Sequence, residues 1–371
     1  MMPRANKILV RGVNWLGDAV MTTPALQRLR AAKPDAHITL LTHEKLADLW
    51  QGHPSINEVI TFRPGERAHR IILRLREQRF DTAVVFPNSH RSALEVFLAR
   101  IPERIGYSRG GRGILLTRVL SPLPESAQMR KRSLADVQRR VAAGVPRETL
   151  SPAAHHVRHY LRLVAELGAD KTPVAPLLHI SADEVAAVRK RFGLREGVPL
   201  FGLNTGAEYG PAKRWPFERF VEAAIQLHIA TQCDWLIIGG ESDRESAAKM
   251  AQELESRSRA ARVMNVTGET SLRELCAVLK ACDILLTNDT GPMHVAAAVG
   301  TPVVVPFGST SPELTGPAYA DSSPHAVLLG AAPCAPCFLR ECPIDFRCMK
   351  SISVEQVVAG ALRAWKGRGD R

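Results

Sequence analysis

Short apolar runs alternate with longer stretches of helical periodicity along most of the chain. Lys7–Val13 (KILVRGV) is a short apolar run and Asp18–Ala32 follows with period 3.6, so a strand and a helix are predicted there. His37–His43, Glu58–Phe62 and Thr82–Pro87 are further predicted strands, separated by helical stretches such as Glu66–Arg79. Gly106–Gly113 is rich in glycine and arginine and is predicted to be an exposed loop. The proline-bearing stretch Asp170–Pro176 (DKTPVAP) interrupts the rhythm and predicts a linker. The rhythm then restarts. Leu200–Gly206, Trp235–Gly240, Val263–Gly268, Ile284–Asn288 and Pro302–Gly308 are predicted strands, and Phe217–Ile229, Ser242–Ser256 and Leu272–Lys280 the intervening helices. Ser353–Trp365 is a last amphipathic helix. Repeated strand–helix units imply parallel sheets covered by helices. The expected architecture is α/β, two Rossmann-like doubly wound domains facing a cleft, at residues 1–172 and 177–350, with a C-terminal helix and tail at 351–371.

Composition sets the class. A chain of 371 residues with 45% hydrophobic and 23% charged positions has the length for two globular cores. Residues 1–10 lack the apolar stretch of a signal peptide, and no uninterrupted apolar run is long enough to span a bilayer, so a cytoplasmic protein is expected. Seven cysteines in such a chain argue against a disulfide framework. Residues 1–175 hold 28 Lys+Arg against 15 Asp+Glu, whereas residues 176–371 hold 21 against 22. The positive excess therefore lies in the first half, as an anionic partner or a basic solvated face would require. With 5% aromatic residues and no nucleic-acid module, a nucleic-acid partner is not expected.

In parallel α/β sheets, ligands bind beyond the carboxyl ends of the strands, and the unusual residues fall there. The first strand runs into Gly12-Val13-Asn14-Trp15-Leu16-Gly17-Asp18. Its glycine spacing imitates a P-loop, but Asp18-Ala19 replaces the Lys-Ser/Thr, and G-x-G-x-x-G is absent, so a nicotinamide oxidoreductase has little support. Asp18 at a helix start is a functional carboxylate or an N-cap, and spacing alone favours the cap. The second block, Asn204 to Pro216, combines Thr205, Gly206 and Lys213 in a strand-to-helix loop, donors and a cation suited to a diphosphate. The third, Asn288-Asp289-Thr290-Gly291-Pro292-Met293-His294, presents helix-start donors at Thr290 and Gly291. There Asp289 can accept from hydroxyls, and His294 follows one turn in. Asp243 could meet a ribose, with Glu241 and Glu245 as competitors, and Asn88, Ser89 and Arg91 follow the strand Thr82–Pro87. Cys334, Cys337, Cys342 and Cys348 (C-x2-C-x4-C-x5-C) contain only one tight pair, whereas four-thiolate zinc sites usually have two. A reduced, metal-free loop is expected.

Taken together, NWLGDAVMTTPAL, PNSHRSAL, GAEYGPAKRWP and NDTGPMHVAAAVGTPVV resemble the ADP-heptose–lipopolysaccharide heptosyltransferases, and the form GAEYGPAKRWP is most similar to the heptosyltransferase II branch. The resemblance spans both halves; about Arg109 to His159 and the cysteine segment lie outside it. It implies a B-type glycosyltransferase fold that binds the acceptor on the N-terminal domain and the nucleotide sugar on the C-terminal one. The implied reaction is inverting, metal-independent transfer of L-glycero-D-manno-heptose from ADP-heptose to a heptose-Kdo-lipid A inner core, with no cofactor. The alternative is the heptosyltransferase I reaction or that of another lipopolysaccharide-core glycosyltransferase of the same family. By the same resemblance Asp18 becomes the general base and Lys213 a catalytic donor-site cation. Thr205, Gly206, Asp243, Asp289, Thr290, Gly291 and His294 would line the donor site, and Asn88, Ser89 and Arg91 the acceptor side. The lipid-borne acceptor implies transient association with the cytoplasmic face of the inner membrane, which accounts for the basic first half.

Overall fold

The computed structural model describes residues 6–126, 129–258, 262–317 and 324–367. The first sheet comprises β1 (Lys7–Arg11), β2 (His37–His43), β3 (Glu58–Phe62), β4 (Thr82–Val85), β5 (Glu103–Tyr107) and β6 (Arg118–Leu120), in the order β3-β2-β1-β4-β5-β6. The second comprises β7 (Leu200–Asn204), β8 (Asp234–Ile237), β9 (Val263–Asn265), β10 (Ile284–Thr287), β11 (Val303–Phe307) and β12 (Ala326–Leu329), in the order β12-β11-β10-β7-β8-β9. Every recorded pairing is parallel, with Lys7 opposite His37 and Ile8 opposite Thr82 in one sheet, and Leu203 opposite Leu286 in the other. Counted from its own first strand, each sheet has the doubly wound order 3-2-1-4-5-6. The expected α/β class with two doubly wound units is what the chain forms.

The central strands follow from their composition. KILVR, TAVV, LFGLN and ILLT lie between helices on both faces and are buried almost throughout, as parallel strands must be. In the first unit Leu9, Leu41, Ile71, Leu75, Val85 and Val96 form one core; in the second Phe201, Trp215, Phe220, Trp235, Leu286 and Val357 form another. Full burial of side chains of this size stabilises the fold by roughly 1.5–3 kcal/mol each. The helix predicted over Asp18–Ala32 is two helices, Leu16–Met21 and Thr23–Ala32. Thr22 and Thr23 turn their hydroxyls onto the carbonyls of Ala19 and Val20, and Pro24 lacks the N–H a continuous helix would use.

The division between units differs from the sequence expectation. Met1–Ser126 and Ala153–His179 form one unit, and Ala127–Pro152 with Ile180–Arg371 the other. The excursion carries the helix Leu134–Ala142, whose Val137 is buried in the second core. Its arginines are spent on backbone carbonyls of that unit: Arg140 donates to Pro333, and Arg147 to Gly308, Gly330 and Thr310. The C-terminal helix, Val354–Lys366, is no appendage. Val354, Val357 and Ala361 enter the second core, and Trp365 meets Phe201 edge-on at 5.9 Å. Residues 368–371 of the expected tail lie outside the described residues. No helix among the described residues is long and apolar enough to cross a membrane.

Candidate active site

In a sheet of this order the strand sequence reverses between its first and fourth members, and the loops beyond their carboxyl ends diverge to leave a crevice. In the first unit those strands are β1 and β4, which feed the Asp18 segment and the Asn88–Arg91 segment. In the second they are β7 and β10, which feed the Thr205–Lys213 loop and the Asp289–His294 turn. Four of the five segments marked in the sequence thus leave switch-point strands; the fifth, at Asp243, follows β8.

Asp18 is not the N-cap that spacing favoured. The cap is Trp15, in extended conformation and without a side-chain cap bond, so Asp18 is the third helical residue. A carboxylate in the first turn is favoured by the helix dipole, while its oxygens stay uncommitted to capping. Its side chain is one-third exposed, and its Oδ1 lies 4.0 Å from Nδ1 of His156. His156 was not anticipated. It stands at the start of the helix His156–Ala165, beside His159, with ring centroids 5.9 Å apart.

The β4 loop is organised by a residue predicted to be exposed. Arg112, within Gly106–Gly113, is fully buried. It donates from Nε to the Tyr107 carbonyl at 2.9 Å, from Nη1 to the carbonyls of Pro87 and Ser89, and from Nη2 to Asn88 Oδ1 at 3.3 Å. Burial, with Arg109 nearby, pulls this guanidinium down to about 10. The Arg112 contact takes one of the two lone pairs of the Asn88 oxygen and so orients the exposed amide. Ser89 caps the helix His90–Leu98 by accepting from Ser92 N. Arg91 is half exposed and donates to Glu95 at 3.0 Å, while Arg11 holds the other oxygen of the buried Glu95 at 2.9 Å.

In the second unit the expected donor residues converge. Lys213 ends the short turn Pro211–Lys213, and its Nζ lies 2.7 Å from Asp289 Oδ2, with both side chains largely buried. Asp289 also accepts from the Thr310 hydroxyl at 2.6 Å. Asn288 binds the two loops to each other, accepting from Trp215 N at 2.9 Å and donating to the Thr205 carbonyl at 2.8 Å. Thr290 caps the helix Gly291–Ala298, and His294 is buried within its first turn. Gly206 leaves room for Asp243, since a Cβ there would lie 2.6 Å from its Oδ2 and push the carboxylate aside. That contact separates Asp243 from its competitors: its carboxylate turns toward the donor loop, whereas Glu241 pairs with Arg244 at 2.7 Å.

Tyr209, Thr310 and Arg340 were missed. The Tyr209 ring lies under Lys213 Nζ at 5.1 Å and near the Arg340 guanidinium at 5.3 Å, and its hydroxyl donates to the Phe338 carbonyl. The cysteine-rich segment is therefore a wall of this loop. Its four cysteines are free thiols, and burial pushes Cys348 up to about 12, with Cys337, Cys334 and Cys342 nearby adding to the shift. Among the described residues no group of three or more His, Cys, Asp or Glu is placed to hold a metal.

Two doubly wound units, the second with a lysine and a helix start at its switch point, are an architecture suited to a nucleotide ligand, and comparison with known proteins gives the class. The model for glycosyltransferase family 9 (heptosyltransferase) matches residues 126–346. Lipopolysaccharide heptosyltransferase 2 of Escherichia coli K12 is 33% identical over 324 residues, covering 84% of this chain and 85% of that protein. Its counterpart in Salmonella typhimurium is 34% identical over 317 residues, with the same coverage. The solved structure of Escherichia coli ADP-heptose LPS heptosyltransferase II superposes with a TM-score of 0.76 at 28% identity, covering 98% of this chain and 99% of that one. The chain belongs to glycosyltransferase family 9 and is a glycosyltransferase enzyme.

Proposed function

We propose that the chain transfers L-glycero-D-manno-heptose from ADP-heptose to a heptose-Kdo-lipid A inner core, with inversion, without a metal and without a cofactor. One observation carries the reading most: the Lys213–Asp289 pair, joined to the Thr205–Gly206 loop through Asn288 beside the Thr290–Gly291 helix start. This is a cation with free backbone donors at a switch point, the equipment for a diphosphate leaving group. The relatives named above, both called heptosyltransferase 2, support the choice of sugar and of acceptor stage.

In the proposed displacement the acceptor hydroxyl attacks C1 of the donor heptose, its proton passes to Asp18, and the C1–O bond to ADP breaks. Lys213 and the helix-start N–H groups take up the charge that develops on the diphosphate. Thr205, Gly206, Asp289, Thr290 and Gly291 position the diphosphate and Asp243 the ribose, while the buried His294 supports the turn from behind. Asn88, Ser89 and Arg91 meet the acceptor. The enzyme works at the cytoplasmic face of the inner membrane, in transient contact with it.

The deciding experiment offers ADP-heptose with two acceptors, Kdo-lipid A with and without its first heptose, in the presence of a chelator. Transfer to the heptose-bearing acceptor alone is expected. Transfer to the bare Kdo acceptor would assign the heptosyltransferase I reaction, and loss of turnover on chelation would refute metal independence.

A further inference from the structure

The helix His90–Leu98 has two apolar faces where a helix over a sheet needs one. Ala93 and Val96 point into the core of the first unit and are fully buried. Leu94, Phe97 and Leu98, spaced i, i+3 and i+4, form a second stripe and remain 40%, 40% and 43% exposed. The short turn Arg112–Leu115 packs beside this helix and carries Ile114, which is 87% exposed. Next to them a depression of about 360 Å³ is lined by Phe97, Leu98, Ile101 and Pro102, with Arg100 and Arg104 at its margin. The Arg104 guanidinium lies 5.3 Å from the centre of the Phe97 ring. The acidic side chain nearest in the sheet, Glu103, is already paired with Arg118 at 2.8 Å. Single exposed apolar residues need no explanation, but a contiguous apolar surface rimmed by cations does.

We infer that this face docks the enzyme on an anionic bilayer, with Leu94, Phe97, Leu98 and Ile114 entering the interfacial region and Arg100 meeting lipid phosphates, while Arg104, tied to the carbonyls of Ile101, Pro102 and Leu115, adds its charge to the rim. Apolar side chains that insert and arginines that hold headgroups are the two elements of interfacial binding. The occupant follows from the charge: an apolar partner alone would leave the arginines without counter-charge, whereas an anionic lipid satisfies both. The placement also serves catalysis, because the same helix begins at Ser89 and Arg91 on the acceptor side of the first unit. A helix lying on the bilayer brings those residues to the height of sugars attached to a lipid. The inference rests on the proposed lipid-borne acceptor, but its test requires neither acceptor nor donor.

The full chain is mixed with vesicles of phosphatidylcholine alone or of phosphatidylcholine with phosphatidylglycerol, and sedimented. Binding is expected on the mixed vesicles, weakening as salt rises. Arg100→Glu should reduce that binding by at least about fivefold, and Phe97→Ser by about tenfold. Ile114→Trp gives an independent signal: its emission should shift to the blue on mixed vesicles, while Ile229→Trp, at an exposed site in the second unit, should not respond. Transfer to a soluble, delipidated acceptor should be unchanged in Arg100→Glu and Phe97→Ser. Loss of that activity as well would make this face part of acceptor binding and overturn the inference. So would vesicle binding that neither variant alters, or an Ile114→Trp shift that follows protein concentration without lipid, the sign of self-association. If vesicle binding behaves as expected but no heptose is transferred, the docking face stands and the proposed function fails.

Discussion

At Asp18 and Lys213 single side chains decide between structure and chemistry. Because Trp15 occupies the cap, Asp18→Asn removes only a first-turn charge, costing about 0.3–1 kcal/mol of helix stability. As general base, however, Asp18 has no substitute in the amide. Turnover of ADP-heptose should fall by about 10²–10⁴-fold, with the melting temperature nearly unchanged. A well-folded Asp18→Asn protein with near-native turnover would end the catalytic role. Lys213→Met should weaken ADP binding on the order of tenfold to a hundredfold, since a charge-assisted contact is worth roughly 1.5–3 kcal/mol. Its pairing with Asp289 adds a second expectation, because without the lysine the buried carboxylate keeps, among the described residues, the Thr310 hydroxyl as its partner. Lys213→Met should therefore also lower stability, and Lys213→Met with Asp289→Asn should recover the stability but not the affinity. Calorimetry and ADP titration of both proteins check this, and full affinity in Lys213→Met would remove the donor-site assignment. These residues were legible because each stands where a strand ends. Arg112 was not: a guanidinium flanked by glycines has the composition of an exposed loop, and only the fold supplies the carbonyls of Pro87, Ser89 and Tyr107 that let it be buried.

Among the strands, the buried central ones were the most legible. β1, β2, β4, β7, β8, β10 and β11 are contiguous apolar runs that a periodicity argument finds. β3 and β9 also came through. The missed strands are β5, with Glu103 and Arg104 at its start, and the edge strands β6 and β12, in which most residues are at least partly exposed. β5 and β6 open on charged residues that break the apolar run, whereas β12 (AVLL) is an apolar run as legible as β4 and was passed over. The excursion 127–152 was missed for a different reason: its helix Leu134–Ala142 is amphipathic, but nothing in its period says which core Val137 enters, and the arginine-to-carbonyl bonds that fix it there leave no pattern in the sequence. Arg147 carries much of that attachment, and Thr310, whose carbonyl it holds, donates to Asp289. Arg147→Met should destabilise the second unit by roughly 3 kcal/mol, since several carbonyls lose a charged donor, and should weaken ADP binding as Thr310 loosens. Denaturant unfolding and ADP titration measure the two effects. Loss of stability with unchanged affinity would confine Arg147 to holding the excursion.

For the whole molecule, redrawing the boundary changes what the charge means. The excursion carries six Lys+Arg and two Asp+Glu into the second unit, leaving balances of +9 and +3 where a division at residue 175 gave +13 and −1. Part of the excess read as a basic half is thus arginine spent inside the second unit, and the cations at the helix His90–Leu98 are a better guide to an anionic partner than the total. The units also differ in how acid should affect them. In the first, burial holds His53 and His159 down to about 4, against 6.5 in the unfolded chain. A histidine with a lowered folded value stabilises the fold above the unfolded value, and that contribution is lost as pH falls from 6.5 toward 4, because the unfolded chain binds the proton first. The slope is at most about 1.4 kcal/mol per pH unit for each histidine. In the second unit Arg273 holds Glu184 down to about 2 against 4.5, so that contribution persists to pH 4.5 and is lost only below it. Between pH 7 and 5 the first unit should therefore weaken more than the second. Hydrogen exchange followed by mass spectrometry, corrected for the intrinsic pH dependence of exchange, resolves this by segment. Protection should fall over β1, β4 and the helix His156–Ala165 while holding over β7, β10 and the helix Ala182–Phe192. His53→Gln combined with His159→Gln should flatten the first unit's response across that range, and an undiminished response in the double variant would place the acid sensitivity elsewhere than in the two buried imidazoles.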